Sequence, residues 1–145
     1  MRVIVVLLLL ALAACAEPAG SGADASPSST ASTDAADNDL LIELDRGNGT
    51  APERYTLLCG EAPDGDHPDA AAACAHLEGL EEPFAPLSTD LMCTEQYGGP
   101  ETARITGRWH GEPVELELSR TDGCTISQWE DMGPVLPPVE GAVPN

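Results

Sequence analysis

Five cysteines behind an export-type leader constrain this fold more than any other feature of its 145 residues. After Met1 and Arg2 comes an almost unbroken apolar run, Val3 to Ala13. That run is shorter than the roughly 20 residues needed to span a bilayer, so residues 1–14 read as a cleaved leader. An exported chain meets conditions in which disulfides persist. Cys15 directly follows the leader, and setting it aside leaves Cys59, Cys74, Cys93 and Cys124 for the folded part. Four cysteines pair in three ways, and spacing alone does not choose among them. Each bridge is expected to stabilise the fold by roughly 3 kcal/mol, chiefly by restricting the unfolded chain.

The stretch Leu12-Ala13-Ala14-Cys15 resembles a bacterial lipobox, in which the cysteine thiol takes a diacylglycerol and becomes the mature N-terminus. The expected location is therefore the outer face of the bacterial cell membrane, with some protein released extracellularly. Residues 15–38 are almost entirely Ala, Gly, Ser, Thr, Pro and Asp, with no apolar periodicity. Such a segment cannot bury enough surface to fold. It reads as a tether with a mean reach of about 27 Å. Six arginines and no lysine face 25 acidic residues, for a net charge of -19. That balance repels phosphate backbones and anionic lipid surfaces, which argues against a nucleic-acid partner.

The folded unit is expected over residues 39–133, followed by a proline-rich extended tail over 134–145. Leu40, Ile42 and Leu44 alternate with Leu41, Glu43 and Asp45, the pattern of a half-buried strand. A turn at Arg46–Gly49 leads to a second strand, Glu53 to Cys59, with Tyr55, Leu57 and Cys59 on one face. Asp66 is the expected cap of a helix with Pro68 in its first turn and an alanine run from Ala70. Ala73, Leu77 and Leu80 would share its buried face, and Pro83 would end it. The clearest hairpin spans Glu101 to Arg120, with Ile105, Gly107 and Trp109 on one face and His110-Gly111-Glu112-Pro113 as its turn. A short helix is expected over Cys124 to Met132, with Ile126 and Trp129 inward.

Catalytic signatures are missing from the chain. His67, His76 and His110 lack zinc-ligand spacing, no G-x-S-x-G elbow occurs, and no calcium loop of EF-hand type is present. No cysteine is expected to be free, no cofactor or metal is expected, and the two tryptophans read as core. The chain is therefore not expected to be an enzyme. What remains is the polar stretch Cys93, Thr94, Glu95, Gln96, Tyr97, followed by Gly98, Gly99 and Pro100. A short exposed segment beginning at a cysteine can be held extended and offered to a protease cleft as a substrate is, losing little entropy on binding.

Several blocks make the same suggestion. Cys93-Thr94-Glu95-Gln96-Tyr97 resembles the reactive-site loop of the subtilisin inhibitor-like family of secreted bacterial serine protease inhibitors. Ala51, Pro52, Glu53, Arg54, Leu57 and Cys59 fit that family's first block, and Gly65, His67, Pro68, Ala73, Cys74 and Leu77 fit its cysteine-bearing helix. Gly107, Trp109, Gly111, Val114 and Cys124 fit its later hairpin. The resemblance runs from about residue 40 to 129. It implies an α+β fold: an antiparallel sheet of about five strands, two helices on one side, and disulfides Cys59–Cys74 and Cys93–Cys124. It further implies that Cys93 is P3, Thr94 P2, Glu95 P1, Gln96 P1′ and Tyr97 P2′, with the scissile bond at Glu95–Gln96. The implied partners are an extracellular serine protease and, as an assembly, a second copy in a homodimer.

The departures cluster near that loop. Asp-Pro usually follows the family's loop tyrosine, but Gly98 and Gly99 precede Pro100 here. Arg120 and Asp122 stand where phenylalanine and asparagine are usual, and the family's aromatic C-terminal strand has no counterpart. Glu95 replaces the common Met, Lys or Arg. A carboxylate entering an apolar or acidic pocket costs several kcal/mol of desolvation. The expected target is therefore a Glu-preferring protease rather than a trypsin-like or subtilisin-like one. A non-inhibitory envelope lipoprotein, using the same scaffold as a protein-binding module, is the second expectation.

Overall fold

A computed structural model describes residues 37–138. The leader at 1–14, the lipidation expected at Cys15 and nearly all of the expected tether lie outside the described residues, as does the tail from 139.

The described chain runs β1 (Asp39–Asp45), β2 (Glu53–Leu58), α1 (Ala70–Glu78), β3 (Thr102–Trp109), β4 (Glu112–Leu118), α2 (Gly123–Asp131) and a 3-10 turn (Gly133–Val135). The strands form one antiparallel sheet in the order β2-β1-β3-β4. It has four strands against the five implied by the resemblance, and among the described residues no strand follows α2. The register places Ile42 opposite Tyr55 on one side and Ile105 on the other, with Leu116 beyond. Because side chains alternate faces, this lines up one apolar face. Leu40, Ile42, Leu44, Leu57, Ala103, Ile105, Val114, Leu116 and Leu118 are all buried on it. The opposite face is wet and carries cross-strand ion pairs, Arg54 to Glu43 at 2.7 Å and Arg104 to Glu115 at 2.5 Å. Exposed pairs of this kind contribute no more than about 1 kcal/mol each. Cutting fully buried Ile42 back to alanine would cost about 2–5 kcal/mol.

Tight turns join the strands. His110 and Gly111 both adopt positive φ, 50° and 79°, the two-residue geometry that matches strand twist. The hairpin thus turns on two residues, and Glu112 and Pro113 belong to β4 rather than to the turn. Residues 37 and 38, just ahead of β1, are also bonded to the domain. The Asn38 carbonyl accepts from Cys59 N, and the Asp37 carbonyl accepts from Gly111 N.

Helix α1 starts later than the sequence suggests. Asp69, not Asp66, caps it by accepting from Ala72 N at 3.2 Å. Asp66 is engaged elsewhere, accepting from Thr56 N and from Thr56 Oγ1. Those bonds hold the Asp66 carboxyl below its ordinary range. The helix ends at Glu78 with Gly79 as its cap, short of Pro83. Ala73, Cys74 and Leu77 form its buried face, and Cys74 is bonded to Cys59 with Cα atoms 5.5 Å apart.

Residues 132–136, directly after α2, are packed against the core. Val135 and Leu136 are buried with the core, and the Val135 carbonyl lies 3.1 Å from His67 Nε2. His67 Nδ1 accepts from Asp69 N. Nε2 is therefore the protonated nitrogen and donates to Val135. This histidine ties the 3-10 turn to the start of α1. An expectation of extended chain from 134 fails here because two apolar residues sit among the prolines and find the core.

Candidate functional site

The chain between α1 and β3 is irregular. It is moored first at Phe84, whose ring meets Trp109 edge-on at 5.9 Å, and at Ala85, whose carbonyl accepts from Gln128 Nε2 at 3.1 Å. Beyond that it runs exposed from Leu87 to Tyr97. Met92 is 99% exposed, Tyr97 70% and Leu91 51%, so apolar groups stand in water beside the loop. A groove of about 920 Å³ lies between this segment and α2, lined in part by Leu80, Leu91, Met92, Thr94 and Met132.

Two sets of bonds bracket the residues singled out in the sequence. On the near side Cys93 is joined to Cys124 at the start of α2, with Cα atoms 5.2 Å apart. The Thr94 carbonyl accepts twice, from Gln96 N and from Gly123 N, each at 2.9 Å. The first of these closes a three-residue turn with Glu95 at its apex. The second fastens that turn to the first residue of α2. The helix end is itself well fixed. Asp122 accepts from Cys124 N and Thr125 N, while Thr125 Oγ1 accepts from Asp122 N, a complete capping box. Thr94 also lies over Gly123 so closely that a Cβ there would collide with Thr94 Oγ1.

On the far side Gly98 N donates to the Arg120 carbonyl at 2.7 Å. Arg120 pairs with Glu101 at 3.3 Å, and its guanidinium lies 5.9 Å from the centroid of the Trp129 ring. Between these brackets Glu95, Gln96 and Tyr97 are exposed. The arrangement presents three side chains on backbone fixed at both ends.

The remaining sequence candidates have structural places. Cys59 and Cys74 staple β2 to α1 inside the core, far along the chain from the loop. Trp109 is buried, and Trp129 packs half-buried against the core. His76 Nε2 donates to the Asp131 carbonyl at 2.7 Å, and His110 stacks on Trp109. Among the described residues, the single cluster with metal-ligand spacing is Cys93, Asp122 and Cys124, and its two sulfurs are bonded to each other. In the sequence Arg120 stands out only as a departure from the usual phenylalanine. Its part in the bracket depends on Glu101 and Trp129, and no local pattern signals it.

A family model described as "Subtilisin inhibitor-like" matches residues 39–121. A subtilisin inhibitor of Streptomyces violaceus is 36% identical over 94 residues, covering 60% of this chain and 64% of the relative, a little under two thirds of its length. Subtilisin inhibitor-like protein 4 of Streptomyces lavendulae is 35% identical over 107 residues, covering 70% of this chain and 88% of the relative. Among solved structures, Streptomyces caespitosus sermetstatin, in its complex with Bacillus licheniformis subtilisin, aligns with TM-score 0.46 and 23% identity, covering 68% of this chain and 96% of that one. These relatives are named as inhibitors, not as enzymes. With a match over more than half its length, the chain belongs to the subtilisin inhibitor-like family.

Proposed function

We propose that this protein is an inhibitor of extracellular serine proteases, presenting Cys93–Tyr97 as a substrate-like loop with Glu95–Gln96 as the scissile bond. The observation that carries the reading is the double bracket: Thr94 fastened to Gly123 and Gly98 fastened to Arg120, with Glu95, Gln96 and Tyr97 exposed between. Fixing one residue of free chain costs about 1–2 kcal/mol, so a loop already fixed keeps that free energy for binding. If the Glu95–Gln96 bond is cut, both new ends remain tied to the same body, and the amine of Gln96 stays near the acyl group that it must attack to restore the bond.

The names of the relatives support a subtilisin-type serine protease as the class of target, and the Glu preference expected from Glu95 is kept as the finer part of the proposal. Glu95 then narrows the choice to enzymes whose S1 pocket offers a cation or hydrogen-bond donors to a carboxylate. A pocket carrying a like charge, as for trypsin-type specificity, disfavours it by several kcal/mol. The same proposal includes a lipid anchor at Cys15, which places the inhibitor on the outer membrane face, and assembly as a homodimer. Membrane fractionation of Cys15→Ser tests the anchor, and sedimentation equilibrium tests the dimer.

The deciding measurement is inhibition of a glutamyl endopeptidase, subtilisin and trypsin by wild type and by Glu95→Lys, with intact-mass analysis of the Glu95–Gln96 bond. Wild type should inhibit the glutamyl endopeptidase best, and Glu95→Lys should shift the preference to trypsin. If neither protein inhibits any of the three while remaining folded, the inhibitor reading falls and the scaffold is a binding module.

A further inference from the structure

We propose that Arg120 is the positioning residue for the primed side of the loop, and that Gly98 and Gly99 let the backbone close on the surface that Ile126, Glu101 and Arg120 form together. This rests on the inhibitory reading of the loop and identifies what sets its downstream half.

The geometry around Gly98 and Gly99 is tight. A Cβ at Gly98 would meet Ile126 Cγ1 at 3.0 Å and Arg120 Cβ at 3.2 Å. At Gly99, whose φ is +144°, a Cβ would collide with Glu101 Oε2 and lie 3.3 Å from Arg120 Nη1. Two glycines in an exposed stretch usually mean slack chain. Here they let the backbone settle directly on a side chain, and the Gly98 amide closes on the Arg120 carbonyl at 2.7 Å.

Arg120 is held where it is by other elements. Its guanidinium pairs with Glu101, which precedes β3, and lies over the ring of Trp129 in α2. Its side chain is 27% exposed and that of Glu101 16%, so the pair is partly withdrawn from solvent and less screened than a surface pair. Planar guanidinium can satisfy a carboxylate and cover an aromatic ring at once, which lysine cannot. One residue thus ties the end of β4, the entry to β3 and the last turn of α2 to the chain leaving Tyr97. The disulfide secures only the upstream half.

Two readouts of Arg120→Met test this, a variant that keeps the apolar stem but removes the charge. In the free protein, exchange of the Gly98 amide should accelerate about tenfold while that of the Gly123 amide, on the upstream bracket, stays unchanged. With a catalytic amount of the inhibited protease, the equilibrium ratio of cleaved to intact Glu95–Gln96 bond should also rise about tenfold. Glu101→Gln should move both readouts the same way by less, and it takes over as the test if Arg120→Met does not fold. Unchanged Gly98 exchange and an unchanged cleavage ratio in a folded variant would overturn the proposal. If wild type inhibits no protease, the inhibitory reading fails by itself, and amide exchange still decides whether Arg120 sets the loop.

Discussion

The two disulfides of this domain do different work, although each joins a helix to a more distant segment. Cys59–Cys74 is enclosed by the core at the junction of β2 and α1, with its residues 3% and 5% exposed. Cys93–Cys124 lies at the rim, with Cys93 exposed and Cys124 half-buried, next to a segment with few bonds of its own. A cross-link stabilises chiefly by what it denies the unfolded chain. On that ground alone the longer closure, 31 residues against 15, would stabilise more. But opening the rim bridge also frees folded chain, from Leu87 to Tyr97, which returns part of that entropy to the native state. Opening the core bridge frees little and leaves poorly packed sulfurs or methyls in the core. One bridge therefore serves stability, and the other serves the shape of a loop.

Four changes would break or sharpen that contrast. Replacing both Cys59 and Cys74 by alanine should cost about 3 kcal/mol or more, a fall of about 4–8 °C in Tm for each kcal/mol, while inhibition measured well below the transition stays within a few-fold. Replacing both Cys93 and Cys124 should do the reverse: inhibition weakened about a hundredfold, and less than about 2 kcal/mol lost in denaturant unfolding. If the rim pair proves the more costly to stability, the contrast is wrong. Next, Gly123→Ala should weaken inhibition about tenfold, because its Cβ displaces Thr94, with a stability change under about 1 kcal/mol. The smallest effect belongs to the stapled half. The Arg46 guanidinium, 2.8 Å away, and then the Tyr55 hydroxyl at 2.7 Å hold the Glu53 carboxyl below its ordinary 4.5. A carboxyl depressed on folding stabilises above its unfolded pKa and loses that contribution as pH falls through its folded pKa. Wild type should therefore exceed Glu53→Gln in Tm near neutrality, with the gap closing as the pH drops below 4.5. Because Glu53 is 42% exposed, the gap should be worth less than about 1 kcal/mol.

Much of the sheet could be read from the sequence, because period-two alternation is a local signal. Leu40, Ile42 and Leu44 and the β3–β4 hairpin fall on the faces that their alternation assigns. Four elements were not legible, and each depends on a distant partner. Asp66 and Asp69 are equally good caps by residue type, and only the hydrogen bonds from Thr56 to Asp66 decide between them. Val135 and Leu136 looked like part of a proline-rich tail because nothing nearby announces His67 and the core beneath them. The pairing of the cysteines came from family resemblance, since three pairings were open by count. The exposed candidates from Cys93 to Tyr97 were conspicuous as a polar run, yet the residues that shape them, Gly123 and Arg120, are conspicuous only once the chain is folded.

The place of β1 in the sheet bears on how the loop meets the world. It is an inner strand, hydrogen-bonded on both sides, and its first residues lie level with the end of β3 while its last lie level with β3's beginning. The described chain enters beside Gly111, at the tip of the β3–β4 hairpin, whereas Gly98 and Gly99 lead into β3 at the opposite end of the sheet. Point of entry and point of presentation are thus separated by roughly a strand's length, on the order of 20 Å. A pull applied at residue 37 would load an inner strand along its axis, shearing two ladders at once instead of peeling an edge. The anchor proposed at Cys15 would hold the domain from one pole with the loop at the other, so a protease approaching Glu95 under the proposed function would not collide with the attachment.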